Sequence, residues 1–306
     1  MNILSLFDGI SCAREALRLA EIPVNKYYAC EIDKYAIQVS KKNWADNIHL
    51  GSVTDFSNTT LDIDLLIGGS PCQDLSIAKK DRKGLDGNRS SLFWEYVRIK
   101  NLLKPKYFIL ENVASMPQKD KDIITEAMGV EPVMFNASLV SAQCRKRLFW
   151  SNIKFELPDD RDILLKDILQ DDAEIDERMT TKGKAYVLTA SYNGAVVKNS
   201  IEKKQRTMVK SQQIGHIGKL GQKHEVNNTH GAQANRVYSV EAKSPTLRQT
   251  STLIKKEDIR KLTPIECERL QSLPDDYTEG ISTTQRYKCL GNAFNCNVIE
   301  HILRFI

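Results

Sequence analysis

The sequence predicts an α/β protein, with a doubly wound parallel sheet covered by helices on both faces and a second, smaller domain. Three observations predict this fold. Short apolar runs alternate with stretches whose apolar residues recur at helical spacing through the first half of the chain. Several apolar runs end in a glycine or in polar residues, as strands do at the ligand-binding edge of such a sheet. After residue 152 the amino-acid composition changes, and long apolar runs become rare.

The apolar runs are the predicted strands, because they are short and rich in Ile, Leu, Val, Tyr and Phe. In chain order they lie at residues 3–7, 27–32, 64–69, 107–113, 132–140 and 147–153. The predicted helices are residues 13–20 and 92–103, where apolar side chains share one helical face. With 41% hydrophobic residues among 306, the chain has enough apolar content to bury a sizeable core.

Charge is distributed unevenly in the second half of the chain. Residues 154–177 contain ten acidic and three basic side chains, and we expect this stretch to be helical. Residues 182–256 contain fourteen Lys and Arg against three acids, together with many Asn, Gln and Gly. The net charge of +5 is modest, but this basic segment is a candidate nucleic-acid surface because Lys and Arg side chains bind phosphates.

Regular structure is predicted again near the end of the chain. In LTPIECERLQSLP, Thr263 and Glu266 form a capping-box pattern with Pro264 at the first helical position. A last helix is expected within residues 295–306. The predicted large domain is residues 1–165 completed by 283–306, and the predicted smaller domain is residues 166–282.

Composition excludes several classes of protein. The seven cysteines include no CxxC pair, so neither a disulfide framework nor a thiolate zinc site is indicated. His216, His224 and His230 have no Cys or acid at ligand spacing, and we expect no metal. No apolar run approaches the roughly 20 residues that span a bilayer, and the start lacks the pattern of a signal peptide. We expect a cytosolic protein that does not bind membranes.

The first predicted strand is followed by FDGIS, and Glu31 ends the next strand 22 residues after Gly9. In this arrangement a nucleotide-like cofactor rests at a helix start while an acid binds its ribose hydroxyls. The GxGxxG pattern is absent, which argues against a dinucleotide and is compatible with S-adenosylmethionine, a cofactor without phosphate.

Three further motifs carry candidate chemistry. SPCQ places Cys72 directly after an apolar strand, and ENV places Glu111 at the end of the next one. Because strand ends of a doubly wound sheet share one edge, thiol and carboxylate are expected side by side. In QCRKR, Arg145 and Arg147 alternate and so point to one face of an extended segment. Taken singly, each residue is more simply a buried thiol or a solvated charge.

In this order and spacing, FDG, SPCQ, ENV, QCRKR and the closing GNA at residues 291–293 resemble the cytosine-5 DNA methyltransferases. The catalytic motifs look like those of the animal de novo enzymes, whereas LTPIECERLQSLP looks like bacterial and phage enzymes. The resemblance implies an S-adenosylmethionine-dependent, Rossmann-like sheet and a target-recognition domain in the middle segment. It indicates a prokaryotic or phage member, working in a prokaryotic cytosol or a phage-infected cell.

The resemblance also implies roles for individual residues. Cys72 attacks C6 of cytosine, Glu111 acts at N3, Arg145 and Arg147 hold the base, and Asn112 organises the loop. The implied S-adenosylmethionine contacts are Phe7, Gly9, Ile10, Glu31, Pro71, Leu92 and Asn292. Where the family usually has an acid for the adenine amino group, this chain has Ser52, with Asp55 three residues later, so that contact stays unassigned.

Two alternatives remain at this stage. One is a cytosine-5 tRNA methyltransferase of the same fold, and the other is a catalytically silent nucleic-acid-binding relative. The basic segment favours duplex DNA over tRNA, and the retained Cys72 and Glu111 favour an enzyme. We expect a monomer that acts on double-stranded DNA. The target sequence and the presence of a companion restriction endonuclease stay open.

Overall fold

The computed structural model describes residues 1–71, 92–170, 173–212 and 257–306. Its main feature is a seven-stranded sheet in the order β3-β2-β1-β4-β5-β7-β6. The strands are β1 (Asn2–Leu6), β2 (Lys26–Cys30), β3 (Ile48–Gly51), β4 (Leu65–Gly69), β5 (Tyr107–Val113), β6 (Val133–Asn136) and β7 (Lys146–Ser151). The helices are α1 (Cys12–Leu19), α2 (Lys34–Asn43), α3 (Leu92–Leu103), α4 (Gln118–Met128), α5 (Val197–Glu202), α6 (Pro264–Leu270), α7 (Thr283–Asn292) and α8 (Cys296–Leu303).

The first five strands of the sheet are parallel, as the alternating pattern predicts, and β7 is antiparallel to both of its neighbours. The reversal has a direct consequence for the site. Because β7 runs the other way, its first residues lie at the edge where the parallel strands end, and Arg147 pairs with Val113. The arginine motif and the ENV motif therefore meet at one edge.

Local sequence explains several element boundaries. The Thr263 hydroxyl accepts the Glu266 amide and the Glu266 side chain accepts the Thr263 amide, so the predicted capping box is confirmed. Asp33 caps α2 by accepting backbone amides of its first turn. The predicted strand at 132–140 is shorter than expected, because the Asn136 side chain caps a 3₁₀ turn that begins at Ala137.

Apolar side chains fill both faces of the sheet. One face packs α3 and α4 around Phe93, Tyr96 and Trp150. The other packs α1 and α8, where Leu17 and Ile302 are fully buried. The sheet is thus covered on both faces, as the doubly wound fold requires.

A second, antiparallel sheet lies in the middle of the chain. Its order is β10-β9-β8, with β8 at Ala173–Ile175, β9 at Met208–Gln212 and β10 at Glu257–Lys261. The acidic stretch predicted to be helical instead forms β8 and two short 3₁₀ turns among its described residues. One hydrophobic cluster joins this region to α1 and α2, so the core continues across the predicted domain boundary. No described helix has the length and apolarity needed to cross a membrane.

Candidate functional site

The carboxyl ends of β1, β2, β4 and β5 form the edge on which the sequence motifs converge. The FDGIS turn after β1 has an unusual backbone, because Phe7, Gly9 and Ser11 all have left-handed φ angles of 57°, 61° and 61°. A Cβ added at Gly9 would meet no atom within 4 Å. The turn therefore presents open space above Gly9 while its polar groups face inward.

Asp8 is the buried anchor of this turn. Its carboxylate accepts hydrogen bonds from the Tyr27 hydroxyl at 2.6 Å and from the Ser11 hydroxyl at 2.5 Å. Burial raises the pKa of Asp8 to about 6, although these hydrogen bonds oppose the rise. Ser11 in turn contacts Ser40, which ties the turn to α2. Tyr27 and Asp8 were not singled out as functional residues from the sequence.

Glu31 lies against the FDG turn. Its carboxylate accepts the Gly9 amide at 2.8 Å on one oxygen and the amides of Ile32 and Asp33 on the other. Three backbone hydrogen bonds fix the carboxylate and leave capacity for a fourth, since a carboxylate accepts about four. The Ile32 side chain is 75% exposed beside it. An oriented carboxylate next to open space and an apolar surface fits the ribose and adenine of S-adenosylmethionine.

The other predicted cofactor residues occupy the surroundings of this edge. Pro71 and Leu92 are half-buried and stand at either end of the segment 72–91, which lies outside the described residues. Asn292 is exposed at the end of α7, and an ion pair of Lys288 with Asp33 at 2.6 Å ties α7 to the start of α2. The Ile10 side chain is buried in the core, so a contact from this residue would use its backbone.

Ser52 stands where the family usually has an acid for the adenine amino group. Its hydroxyl accepts the Thr54 amide and caps a 3₁₀ turn, while the Asp55 side chain is exposed in that turn and accepts the Thr54 hydroxyl. Within the described ranges, no group of His, Cys, Asp and Glu side chains could hold a metal ion. His216, His224 and His230 fall outside these ranges.

Cys72 also lies outside the described residues, but its flanking strand is described. β4 ends beside β5, with Gly69 paired to Glu111. The Asn112 amide donates to the Ser70 hydroxyl at 3.1 Å, and the Asn112 side-chain oxygen accepts the Val113 amide. Asn112 thus ties the end of β5 to the segment that leads into Cys72.

Glu111 and Arg147 line a narrow cleft at this edge. Their side chains make an ion pair at 2.6 Å between Nε and Oε1, with 13% and 16% exposure respectively. The cleft is also lined by Arg145, Phe149, Phe294 and Asn295. A carboxylate and a guanidinium together can meet both a ring nitrogen and a carbonyl oxygen of a planar base.

Phe294 is a cleft residue that sequence reasoning missed. A Cβ added at Gly69 would lie 2.8 Å from the Phe294 ring and 3.0 Å from Glu111 Oε2. The absence of a side chain at Gly69 therefore makes room for both groups. The GNA motif directly before Phe294 was the available signal, but the motif alone does not indicate that the ring lies beside Gly69.

Arg145 lines the same cleft, but its guanidinium has backbone partners. It donates to the carbonyl oxygens of Leu188 at 3.0 Å, Ala293 at 2.9 Å and Gly291 at 3.4 Å. The side chain is almost fully buried. Arg145 and Arg147 both line the cleft, but Arg145 hydrogen-bonds the backbone of two other segments whereas Arg147 pairs with Glu111.

The whole chain, residues 1–306, matches the family model described as C-5 cytosine-specific DNA methylase. A relative of similar length is the Type II methyltransferase M.HhaI of Haemophilus parahaemolyticus, which is 28% identical over 99% of this chain and 93% of its own. The orphan methyltransferase M.SPRI of Bacillus phage SPR is 25% identical over 99% of this chain and 97% of its own.

Solved structures show the same fold. The Entamoeba histolytica methyltransferase EhMeth superimposes with a TM-score of 0.69 at 15% identity, covering 100% of this chain and 97% of that one. The S. pombe Dnmt2 methyltransferase does so with a TM-score of 0.62 at 17% identity, covering 99% and 97%. Both likenesses concern the arrangement of the strands and helices.

Proposed function

The chain belongs to the C-5 cytosine-specific DNA methylase family, and from that premise we propose how its residues carry out the reaction. The protein is a DNA (cytosine-5-)-methyltransferase that uses S-adenosylmethionine. The observation that carries the residue assignments is the Glu111–Arg147 ion pair in the cleft beside the end of β4.

The nucleophile of the proposed mechanism is the Cys72 thiolate. The other six cysteines are free and mostly buried. Burial raises the pKa of the thiols of Cys30, Cys144, Cys267, Cys289 and Cys296. Raised values keep these groups protonated near neutral pH, and a protonated thiol is a poor nucleophile. We assign the attack to Cys72 because it follows directly on the strand end that Asn112 holds.

The attack adds Sγ of Cys72 to C6 of cytosine and pushes electrons towards N3 and O2 of the ring. A proton donor or hydrogen bond at N3 and a cation near O2 stabilise that charge. Glu111 supplies the first and Arg147 the second, because both groups line the cleft and hold each other. Asn112 keeps the two strand ends together. C5 then accepts the methyl group, and loss of the C5 proton with expulsion of the thiolate restores the aromatic ring.

S-adenosylmethionine, when bound, supplies the electrophilic methyl group. We propose that Glu31 accepts a ribose hydroxyl and that Ile32 covers the adenine, since the carboxylate is oriented by three amides and the apolar side chain is exposed. Phe7, Gly9, Ile10, Pro71, Leu92 and Asn292 complete the proposed site.

The substrate cytosine must leave the DNA helix, because C5 and C6 of a stacked base are out of reach of a thiolate. We propose that the smaller domain, residues 166–282, holds the duplex while the large domain receives the base. Exposed Lys182, Lys198, Lys203 and Lys204 are available for phosphate contacts. We propose that the enzyme acts as a monomer.

The test is trapping of the covalent intermediate. Conversion sequencing of a methylated random duplex library first identifies the target site. A duplex with 5-fluorocytosine at that site, incubated with S-adenosylmethionine, is then expected to give a denaturation-resistant adduct, since fluorine cannot leave C5 as a cation. Peptide mass mapping is expected to locate the adduct at Cys72, and Cys72→Ser is expected to abolish it. An adduct at another residue, or trapping confined to fluorinated tRNA, would contradict the proposal.

A further inference from the structure

One extended segment of the smaller domain runs along the large domain. We call this segment, residues 185–190, the recognition strap. The Cys144 amide donates to the Ala185 carbonyl at 2.9 Å, and the Ala185 amide donates to the Ala142 carbonyl at 2.8 Å. The Gln143 side chain then accepts the Leu188 amide at 2.8 Å. The QCRKR motif thus lays the strap beside the strand that carries Arg147.

The strap also touches the end of α7. A Cβ added at Gly291 would lie 2.1 Å from the carbonyl carbon of Thr189 and 2.2 Å from the Ala190 amide nitrogen. No side chain fits there without moving backbone. The glycine of the GNA motif is therefore explained by close contact between two backbones.

Arg145 binds both partners of this junction with one guanidinium. It donates to Leu188 in the strap and to Gly291 and Ala293 on either side of Asn292. A buried cation is costly unless it is hydrogen-bonded. Here it meets carbonyl oxygens at the end of α7, where the unpaired carbonyls and the helix dipole both favour positive charge.

We propose that Arg145 is a positioning residue that couples DNA binding to S-adenosylmethionine binding. A movement of the strap when the smaller domain binds DNA would reach the end of α7, which carries Asn292, because Arg145 is hydrogen-bonded to both segments. Since coupling between two ligands is reciprocal, bound cofactor product tightens DNA to the same extent. The inference rests on the proposed function, because it assigns the smaller domain to DNA and Asn292 to the cofactor.

The test measures the dissociation constant of S-adenosylhomocysteine by calorimetry, with and without a duplex carrying the methylated site. For the wild-type enzyme we expect the duplex to tighten binding by about 10-fold, within the usual range of coupling between sites. For Arg145→Lys we expect a factor within about 2-fold of one, because an ammonium group cannot bridge both segments as the guanidinium fork does. Each ligand alone is expected to bind within about 3-fold of wild type.

Arg147→Lys is the matched control, two residues away. Arg147 contacts Glu111 and not the strap, so this variant is expected to lose turnover and to keep the coupling factor. Gly291→Ala perturbs the same junction at the end of α7, because its Cβ would press on the backbone of residues 189 and 190. This variant is also expected to lose the coupling between DNA and cofactor binding. Thermal melting and binding of S-adenosylhomocysteine alone show whether each variant is folded.

Failure of the coupling role and failure of the proposed function give different results. A wild-type enzyme that binds no duplex would refute the proposed function and this inference with it. A wild-type coupling factor of one, or a factor retained by folded Arg145→Lys and Gly291→Ala, would overturn the coupling role and leave the proposed function intact.

Discussion

Replacing Asp8 by Asn tests the electrostatics of the FDG turn. The Asp8 carboxylate is fully buried with hydroxyl partners at 2.5 and 2.6 Å. Asn has the same shape and can still bond to hydroxyl groups, but it carries no charge. The substitution therefore removes the cost of burying a carboxylate and keeps the turn filled.

The size of the effect follows from the pKa. Burial raises the pKa of Asp8 from 3.8 to about 6, so the folded protein binds this proton more tightly than the unfolded chain does. Protonation of Asp8 therefore stabilises the folded state; this contribution is fully present below pH 3.8 and is lost as the pH rises through about 6. At 1.36 kcal/mol for each pKa unit, the loss amounts to about 3 kcal/mol.

The assay is urea unfolding of the wild type and Asp8→Asn across the window from pH 4 to pH 7. We expect the stability of Asp8→Asn relative to wild type to rise by about 2 to 3 kcal/mol over that range. Asp62→Asn, at an exposed position, controls for the removal of one negative charge. A relative stability that stays constant over the window would refute the assignment of a buried, proton-binding carboxyl to Asp8.

Three further predictions concern the cleft and the DNA surface. Glu111→Gln is expected to slow the chemical step by about 10²-fold or more; in single-turnover kinetics, a change confined to DNA affinity would contradict its role at N3. Gly69→Ala is expected to lower turnover by about 10-fold, since its Cβ would press on Glu111 and the Phe294 ring; Phe294→Leu in the same chain should restore part of the rate, and no restoration would exclude the steric explanation. Neutralising Lys182, Lys198, Lys203 and Lys204 to Gln is expected to flatten the salt dependence of DNA binding by up to about 3.6 in slope; an unchanged slope would place the DNA surface elsewhere.

Most of the sheet was predictable from the sequence because its strands are continuous apolar runs. The strand β3 was missed, since Ile48–Gly51 is short and only partly buried at the edge of the sheet. The antiparallel direction of β7 was not predicted either. An apolar run specifies a buried strand, but its direction depends on how the connection before it crosses the sheet.

The site was predictable where its groups are close in sequence to strand ends. Strand order predicts that Glu31 and Glu111 lie at the carboxyl edge of the sheet, whereas the ion pair of Glu111 with Arg147 depends on the reversed direction of β7. The partners of Arg145 were not predictable, because Leu188 and Gly291 come from segments that only tertiary packing brings together. Tyr27 and Phe294 were missed for the same reason.

The close approach of Gly291 to the recognition strap bears on how sequence specificity could be exchanged between relatives. A chimera cut at the predicted domain boundary would replace residues 185–190 with a foreign backbone, although these residues pack so closely on Gly291 that a Cβ there would lie 2.1 Å from the Thr189 carbonyl carbon. A cut after residue 190 and before β10 ends at Lys261 keeps the native junction. A foreign recognition segment grafted between those limits would keep the native residues 185–190 and their packing on the large domain.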